Sequence, residues 1–596
     1  SKINNKIFKH FYNYHVDGFD ARRKKDAQLY INYKPFKKGK IKLEGVTLRN
    51  NEAKTYKITF FGNTVTLPDL LGEDRLANLT ELRVFNFEYT DANITSYLTN
   101  GLDNNIGTTQ INDAVIFPLI THTSRLTYHS NSDVAHNIYP SSGGSNDGVR
   151  YNELKPALRI DAIIRAIELH YDIEFSSDFF NSTNTAYYNL YLWLHTKPGG
   201  LFVDQVSKHQ VKDYTLSVFS KIVNGLTIRN NYFKLDNIGA PRGNFDLIFK
   251  VFPNTKYDKI NVDTGEFSVY IETDVAEDFQ LLITVDNKLF AAGKSTIKGD
   301  VSTFSGSEIV ITQQIPEMKI IDFLTGLFKM FNLTAFIEDN GLIRVQTLDS
   351  FYASSTETHD FTPYVDAKES QIDTPIPYSQ VDLSYKGTST FLARNFTTLN
   401  NRDWGKIEYQ SEQKPSFEGK SYKIELPFEH LLYERLTDAN NGNLSNITWG
   451  WHVDDKEEKS LGEPLLFYPV TKSDVSIRVV KIGGSRTNIT APYMPLNTNG
   501  LWTTDSIDDA KDTIHFSVEF DEYNLKSNTK TLFLNYYESY IKDLFNLKKR
   551  ITKICAYIPL STSEKLSLAD SIIIFDKVYR INKISTNFEN NKSDLE

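Results

Sequence analysis

The sequence predicts a β-rich α+β chain of several domains. At 596 residues it exceeds what one hydrophobic core serves. Aromatic residues make up 13 %, with 33 Tyr and 39 Phe, and these side chains favour pleated, half-buried surfaces. Short apolar runs bounded by turn residues recur along the chain and are interrupted by three amphipathic helices.

Residues 1–155 read as a β region of short strands joined by turns and loops. "KKGKIKLEGVTLRNNEAKTYKITFFG" gives two strands joined at Arg49-Asn50-Asn51-Glu52. Tyr56, Ile58 and Phe60 alternate with Lys57 and Thr59, which predicts one buried face. "TLPDLLGEDRLANL" reads as two short helical turns, the first closed by Gly72, and 121–153 is a polar loop around "SSGGSNDG". Residues 156–195 form a helix–strand unit. Ile160, Ile163, Ile164, Ile167 and Tyr171 make one helical stripe, and Pro156 suits the first turn, where a missing N–H costs nothing.

Residues 196–314 hold strand-length runs such as "FDLIFKVF" and "FQLLITVD" at regular spacing, the pattern of a β-sandwich inserted between two helix units. The second helix unit, 315–400, carries Ile321, Leu324, Phe328 and Phe331 on its seam. Its hairpin turns at Asp339-Asn340-Gly341. Residues 401–515 read as strands with long loops, 436–464 among them. Residues 516–596 close the chain with a helix carrying Tyr537, Ile541, Leu544 and Leu547 on one face, then a small β-unit turning at Asp576-Lys577.

The two helix units look like copies. "RIDAIIRAIELHYDIEF" begins at residue 159 and "IIDFLTGLFKMFNLTAF" at 320, each after a proline. Ile160 and Asp161 fall on Ile321 and Asp322, Ile163 on Leu324, Ile167 on Phe328, and Phe175 on Phe336. The expected shared core is Ile160, Ile163 and Ile167 in one copy and Ile321, Leu324 and Phe328 in the other.

Several function classes are disfavoured. A net charge of −9 argues against a nucleic-acid binder held by phosphate contacts, and no sequence-specific binding is expected. The one cysteine, Cys555, permits no internal disulfide and lies in an apolar strand-like run. No run approaches the ~18 apolar residues of a membrane span. His122, His129 and His136 recur every seven residues, but Ser and Asn crowd that segment, so a loop is expected there and no metal site. Asp454-Asp455 abuts "KEEK" and reads as a solvated charge run, not a glycosidase pair. No nucleotide, serine-hydrolase or zinc-protease motif occurs. Hence no catalytic residue, cofactor or metal is expected, and the chain does not read as an enzyme. Trp449 and Trp451 in "ITWGWH" point to one side of a strand, where two indoles can stack on a sugar. They are the sugar-binding candidates, weighed against the commoner fate of Trp in a core.

The stretches "IFKHFYNYHVDGFDARRKKDAQLYI", "GKIKLEGV…YKITFFG" and "LKPALRIDAIIRAIELHYDIEFSSDFF…LYLWLH" resemble minor tail proteins of tailed bacteriophages. The likeness is to the hub or baseplate type found in phages of flavobacteria and related hosts. "LSLADSIIIFDKVYRINKISTNF" is similar to the small β-unit that ends many hub proteins. The resemblance implies two similar small barrels per subunit, each with its helix, in a homotrimeric ring. Such a ring joins a sixfold tail tube or distal tail protein to threefold spike, fibre or other baseplate proteins. It also takes part in host attachment and DNA passage. The expected location is the virion tail tip, after synthesis in the host cytoplasm. The alternative is a receptor-binding adhesin for host-surface glycans, resting on the inserted sandwich and the Trp pair.

Overall fold

The structure is a computed structural model. It describes residues 2–13, 25–31, 34–49, 52–62, 67–131, 134–140, 148–197, 308–338, 340–354, 357–373, 378–387, 390–410, 420–482, 484–504, 506–546, 548–563, 566–587 and 592–596, and within 201–307 the backbone of the strands. Two compact units emerge. The first comprises 1–84, 97–200 and 312–596, and the second 85–96 and 201–311. The fold is β-rich α+β, with many small sheets and a few helices.

In the first unit, strands Lys25–Ile31, Lys34–Arg49 and Glu52–Gly62 form an antiparallel meander, with Arg49 opposite Glu52 as the turn predicts. The expected buried face is only partly so. Leu43 is buried, and Tyr56 stacks on Phe8 at 4.8 Å, but Ile58 is 46 % exposed. The short helix Lys2–Ile7 covers one end of the sheet and leaves Ile58 uncovered.

A six-stranded antiparallel sheet forms the centre. Its order is Met494–Leu496, Leu466–Val470, Tyr191–Trp193, Ala157–Arg159, Thr109–Ile116, Leu102–Ile106. It therefore joins stretches that sequence patterning assigns to three separate regions. Tyr191, Trp193, Leu431, Phe467 and Tyr493 share one core cluster at this sheet.

Helix α1 (Ile160–Tyr171) lies on this sheet, with Ile160, Ile163, Ile164 and Ile167 buried. Helix α2 (Ile320–Met330) packs instead on Lys420–Glu429. That strand runs parallel to Tyr378–Gly387 in a three-stranded sheet, with helix Phe391–Asn400 on the connection between them. Gly326 lets α2 approach, because a Cβ there would sit 2.6 Å from the Phe428 ring. The hairpin Leu333–Ile337 with Ile343–Thr347 forms as its Asn-Gly predicts, and Gly341 takes φ 95°. Phe175 forms an isolated bridge with Ile343, so the segment after α1 meets the hairpin after α2.

The repeat holds locally, with a register correction. Extended residues Arg159 and Lys319 precede the helices (φ −61°, ψ 134° and φ −69°, ψ 144°). Left-handed residues Asp172 (φ 52°) and Asn332 (φ 48°) follow them. Both markers are 160 residues apart, not the 161 that the identities indicate. At 160, buried Ile163, Ile164 and Ile167 face buried Phe323, Leu324 and Leu327. At 161 only Ile163 and Leu324 match in burial: Ile321 and Phe328 are half-buried, and Phe336 is 39 % exposed while Phe175 is buried. The surroundings also differ, since one helix lies on an antiparallel six-stranded sheet and the other on a mixed three-stranded one. The structure does not build the same sheet around the two helices.

The C-terminal β-unit forms as expected but recruits earlier residues. Thr358–Asp360, Ser571–Ile574 and Lys577–Arg580 make one sheet. Val365–Asp373, Ile551–Tyr557, Lys592–Leu595 and Ile584–Asn587 make the other. Phe361, Ile554, Ile572, Ile574 and Leu595 share its core. The hairpin pairs Ile574 with Lys577, so its turn residues are Phe575 and Asp576, one earlier than the sequence indicates. The preceding helix α3 (Glu538–Leu544) buries Ile541 and half-buries Leu544, with Tyr537 buried just before it; Leu547 lies outside the described residues.

In the second unit the described residues between 207 and 309 are strands. Ser217–Val218, Lys288–Ser295, Phe279–Val285, Phe245–Val251 and Ile260–Val262 form a five-stranded antiparallel sheet. Two three-stranded sheets accompany it, and Glu308–Ile309 pairs with Phe87–Glu88. Most of the expected 196–314 insertion falls in this unit. Among the described residues no helix is long and apolar enough to cross a membrane.

Candidate functional site

The Trp pair lies on strand Leu444–Trp451 with both indoles on one side, 6.2 Å apart and inclined by 26°. Both are buried, at 0 % and 4 % exposure. Phe391 packs edge-on against Trp451, and the Trp451 indole N–H donates to the Thr123 carbonyl. The spacing is that of a stacking platform, but the rings face protein. A sugar has no open face on either, which corrects the sugar-binding expectation for Trp449 and Trp451.

The seven-residue histidines occupy an irregular segment and diverge. His122 is fully buried, His129 Nδ1 accepts from the Asn131 amide, and His136 lies 3.8 Å from Glu153. Among the described residues no group of three or more His, Cys, Asp or Glu side chains could hold a metal ion. Asp454 accepts the amides of Lys456 and Glu458 and so closes its own turn. Cys555 is half-buried on Ile551–Tyr557.

Two interior polar clusters are not foreseen. In the first, His122, His195 and His452 gather around Trp193, whose ring centroid lies 5.8, 4.4 and 5.2 Å from theirs. Lys155 Nζ sits 6.0 Å over the same indole and donates to the Lys197 carbonyl. Burial holds all three imidazoles neutral, His122 at about 2 and His452 at about 4, with His195 lower still. Burial also pulls the Lys155 ammonium down to about 7. Each histidine ends an apolar strand run, "PLITH", "LWLH" and "WGWH", which is the signal by which the sequence could have found them.

In the second cluster His430 Nε2 and His515 Nδ1 are 2.8 Å apart, His515 Nε2 is 4.0 Å from Glu522, and Asn497 donates to Glu522 at 2.5 Å. Tyr385 stacks on His430 at 4.2 Å. Burial lowers both imidazoles, His515 to about 3, and pushes the Glu522 carboxyl up to about 8, with Asp521 adding to the rise. Gly405 (φ 72°) leaves room for this contact, since a Cβ there would collide with His430 Nε2. Every one of these side chains is 5 % exposed or less, so neither cluster meets a substrate in this arrangement.

An open cleft of about 1300 Å3 lies in the first unit. Helix α3 and residues 548–550 form one wall and the hairpin 571–580 another. Ile372 and Val578 line it at 66 % and 67 % exposure, with Tyr422, Tyr540 and Tyr579 between them. Five cationic side chains (Lys548, Lys549, Arg550, Lys577 and Arg580) face two carboxylates, Asp543 and Glu596, on a chain whose net charge is −9. Lys549 pairs with Asp543 at 2.9 Å, an exposed contact of little energetic weight. The lining comes from segments more than two hundred residues apart, so no local pattern marks it. Comparison with protein-family models, curated proteins and solved structures finds no match to the chain.

Proposed function

We propose that the chain is a structural component of a phage tail tip or baseplate. In this reading it is a hub that forms a homotrimeric ring between the tail tube and distal spike or fibre proteins, takes part in host attachment and DNA passage, and resides in the virion. The family assignment rests on the sequence resemblance. One structural observation supports a role in assembly: the titratable clusters are interior, whereas the open cleft carries exposed Ile, Val and Tyr with cationic groups. Exposed apolar side chains gathered in one place fit protein contact better than turnover. The duplicated helix unit contributes less than the resemblance implies, because the two helices lie on differently built sheets.

Antibody raised against the purified chain should decorate one end of intact virion tails in electron micrographs. Native mass spectrometry of the chain should give a trimer. Labelling confined to capsids, or absent from particles, would refute the tail reading.

A further inference from the structure

We propose that the cleft between α3 and the 571–580 hairpin is the socket for a second copy of this chain. Its plug is the exposed turn at Ser506–Asp509. The inference rests on the trimeric hub reading and deepens it by naming the contact.

The socket side has three features that the fold itself does not need. Ile372 and Val578 stand two-thirds exposed inside a concave surface. At the tip of the hairpin that forms one wall, outside the cleft's own lining, Phe575 is the first residue of a two-residue turn, takes φ 57°, and is 64 % exposed. That turn position favours glycine, and a bulky side chain held left-handed carries strain. The ring is left mostly to solvent at that strained position, which offers it to a partner. The socket is also cationic on an acidic protein, which makes the chain's own acidic surface an electrostatically matched partner.

The plug is an acidic turn with an apolar tip. Among the exposed large apolar side chains of the described residues, Ile507 alone is followed directly by two acidic residues, Asp508 and Asp509. Ser506 caps this turn by accepting the Asp508 amide, and the Trp502 indole N–H donates to the Ser506 carbonyl at 3.0 Å. The turn is thus held in shape while Ile507 stands 54 % exposed. An apolar tip flanked by carboxylates fits an apolar cleft flanked by ammonium and guanidinium groups. Socket and plug are different surfaces, so the contact is head-to-tail and closes into a ring when the rotation allows.

Charge reversal tests this directly. By sedimentation velocity, Lys548→Glu/Lys549→Glu and Asp508→Lys/Asp509→Lys should each raise the concentration needed for trimer by about tenfold or more, and the four changes together should restore most of it. Phe575→Gly should also weaken the trimer while leaving the monomer's thermal midpoint level or higher, which a merely structural role would not produce. A trimer indifferent to both charge-reversed variants would overturn this contact and leave the hub reading standing. A parent chain that stays monomeric would overturn both.

Discussion

Glu522→Gln should remove one source of stability loss between about pH 5 and pH 8. Glu522 is 1 % exposed and accepts from Asn497. Burial first, and Asp521 second, raise its carboxyl from 4.5 to about 8. The folded chain then holds a proton that the unfolded chain has already released. The stability contributed by the neutral carboxyl is complete below pH 4.5 and is lost as pH rises through about 8. Each pH unit in that window is worth ~1.4 kcal/mol, so the whole window amounts to about 5 kcal/mol. Glutamine keeps an oxygen for Asn497 and does not titrate. The variant's stability relative to the parent should therefore climb by about 1.4 kcal/mol per pH unit between roughly pH 5 and pH 8. Lys155 and His452 titrate in both proteins, so the difference isolates position 522. Urea unfolding followed by tryptophan fluorescence is the assay. The chain has 5 Trp, and all of them (Trp193, Trp404, Trp449, Trp451 and Trp502) are buried in the first unit. Parallel stability curves for parent and variant would refute the reasoning.

Gly405→Ala should cost about 2–4 kcal/mol, because a Cβ meets the His430–His515 contact at a left-handed position; an unchanged urea midpoint would show that the pair relaxes. Trp449→Ala should cost about 3–5 kcal/mol as a core cavity, with no selective effect on capsule binding in a pull-down. Loss of glycan binding at unchanged stability would instead restore a sugar role. His452→Phe should protect against acid: the neutral imidazole contributes stability above pH 6.5 that disappears as pH falls through about 4, so the variant should gain about 3 kcal/mol over the parent across that range, read from urea midpoints. Replacing residues 201–307 by a short linker should leave the tryptophan unfolding transition within about 1 kcal/mol of the parent, since the first unit has its own core; an insoluble product would contradict that.

Local features were the legible ones. The 34–62 hairpin follows from alternation and an Asn-Asn turn, the 333–347 hairpin from Asn-Gly, and both helices from their i, i+3, i+4 stripes. Residue identity sets the copies one position out of register, because the Asp161/Asp322 match outweighs cap positions that carry no side-chain signature. Long-range pairings were not legible. Nothing in "LYLWLH" announces that Tyr191 will pair with Phe467, since apolar strands are interchangeable as neighbours until a whole core is chosen. The same holds for Trp449 and Trp451. Their spacing fixes one side of a strand, but whether that side meets water depends on Phe391 and Thr123, far away in the chain.

The C-terminal β-unit sets a timetable for synthesis. Its core unites Phe361 with Leu595, and Lys592–Leu595 is an inner strand of the sheet that also holds Val365–Asp373. More than two hundred residues separate these partners. At a translation rate of about 5–20 residues per second, roughly ten seconds to most of a minute passes between them. During that interval Phe361 and the strand after it leave the ribosome without the surface they pack on. A nascent chain in that state is a client for holdase chaperones, and a host lacking them should accumulate the protein as ribosome-proximal aggregates even though the finished fold is sound.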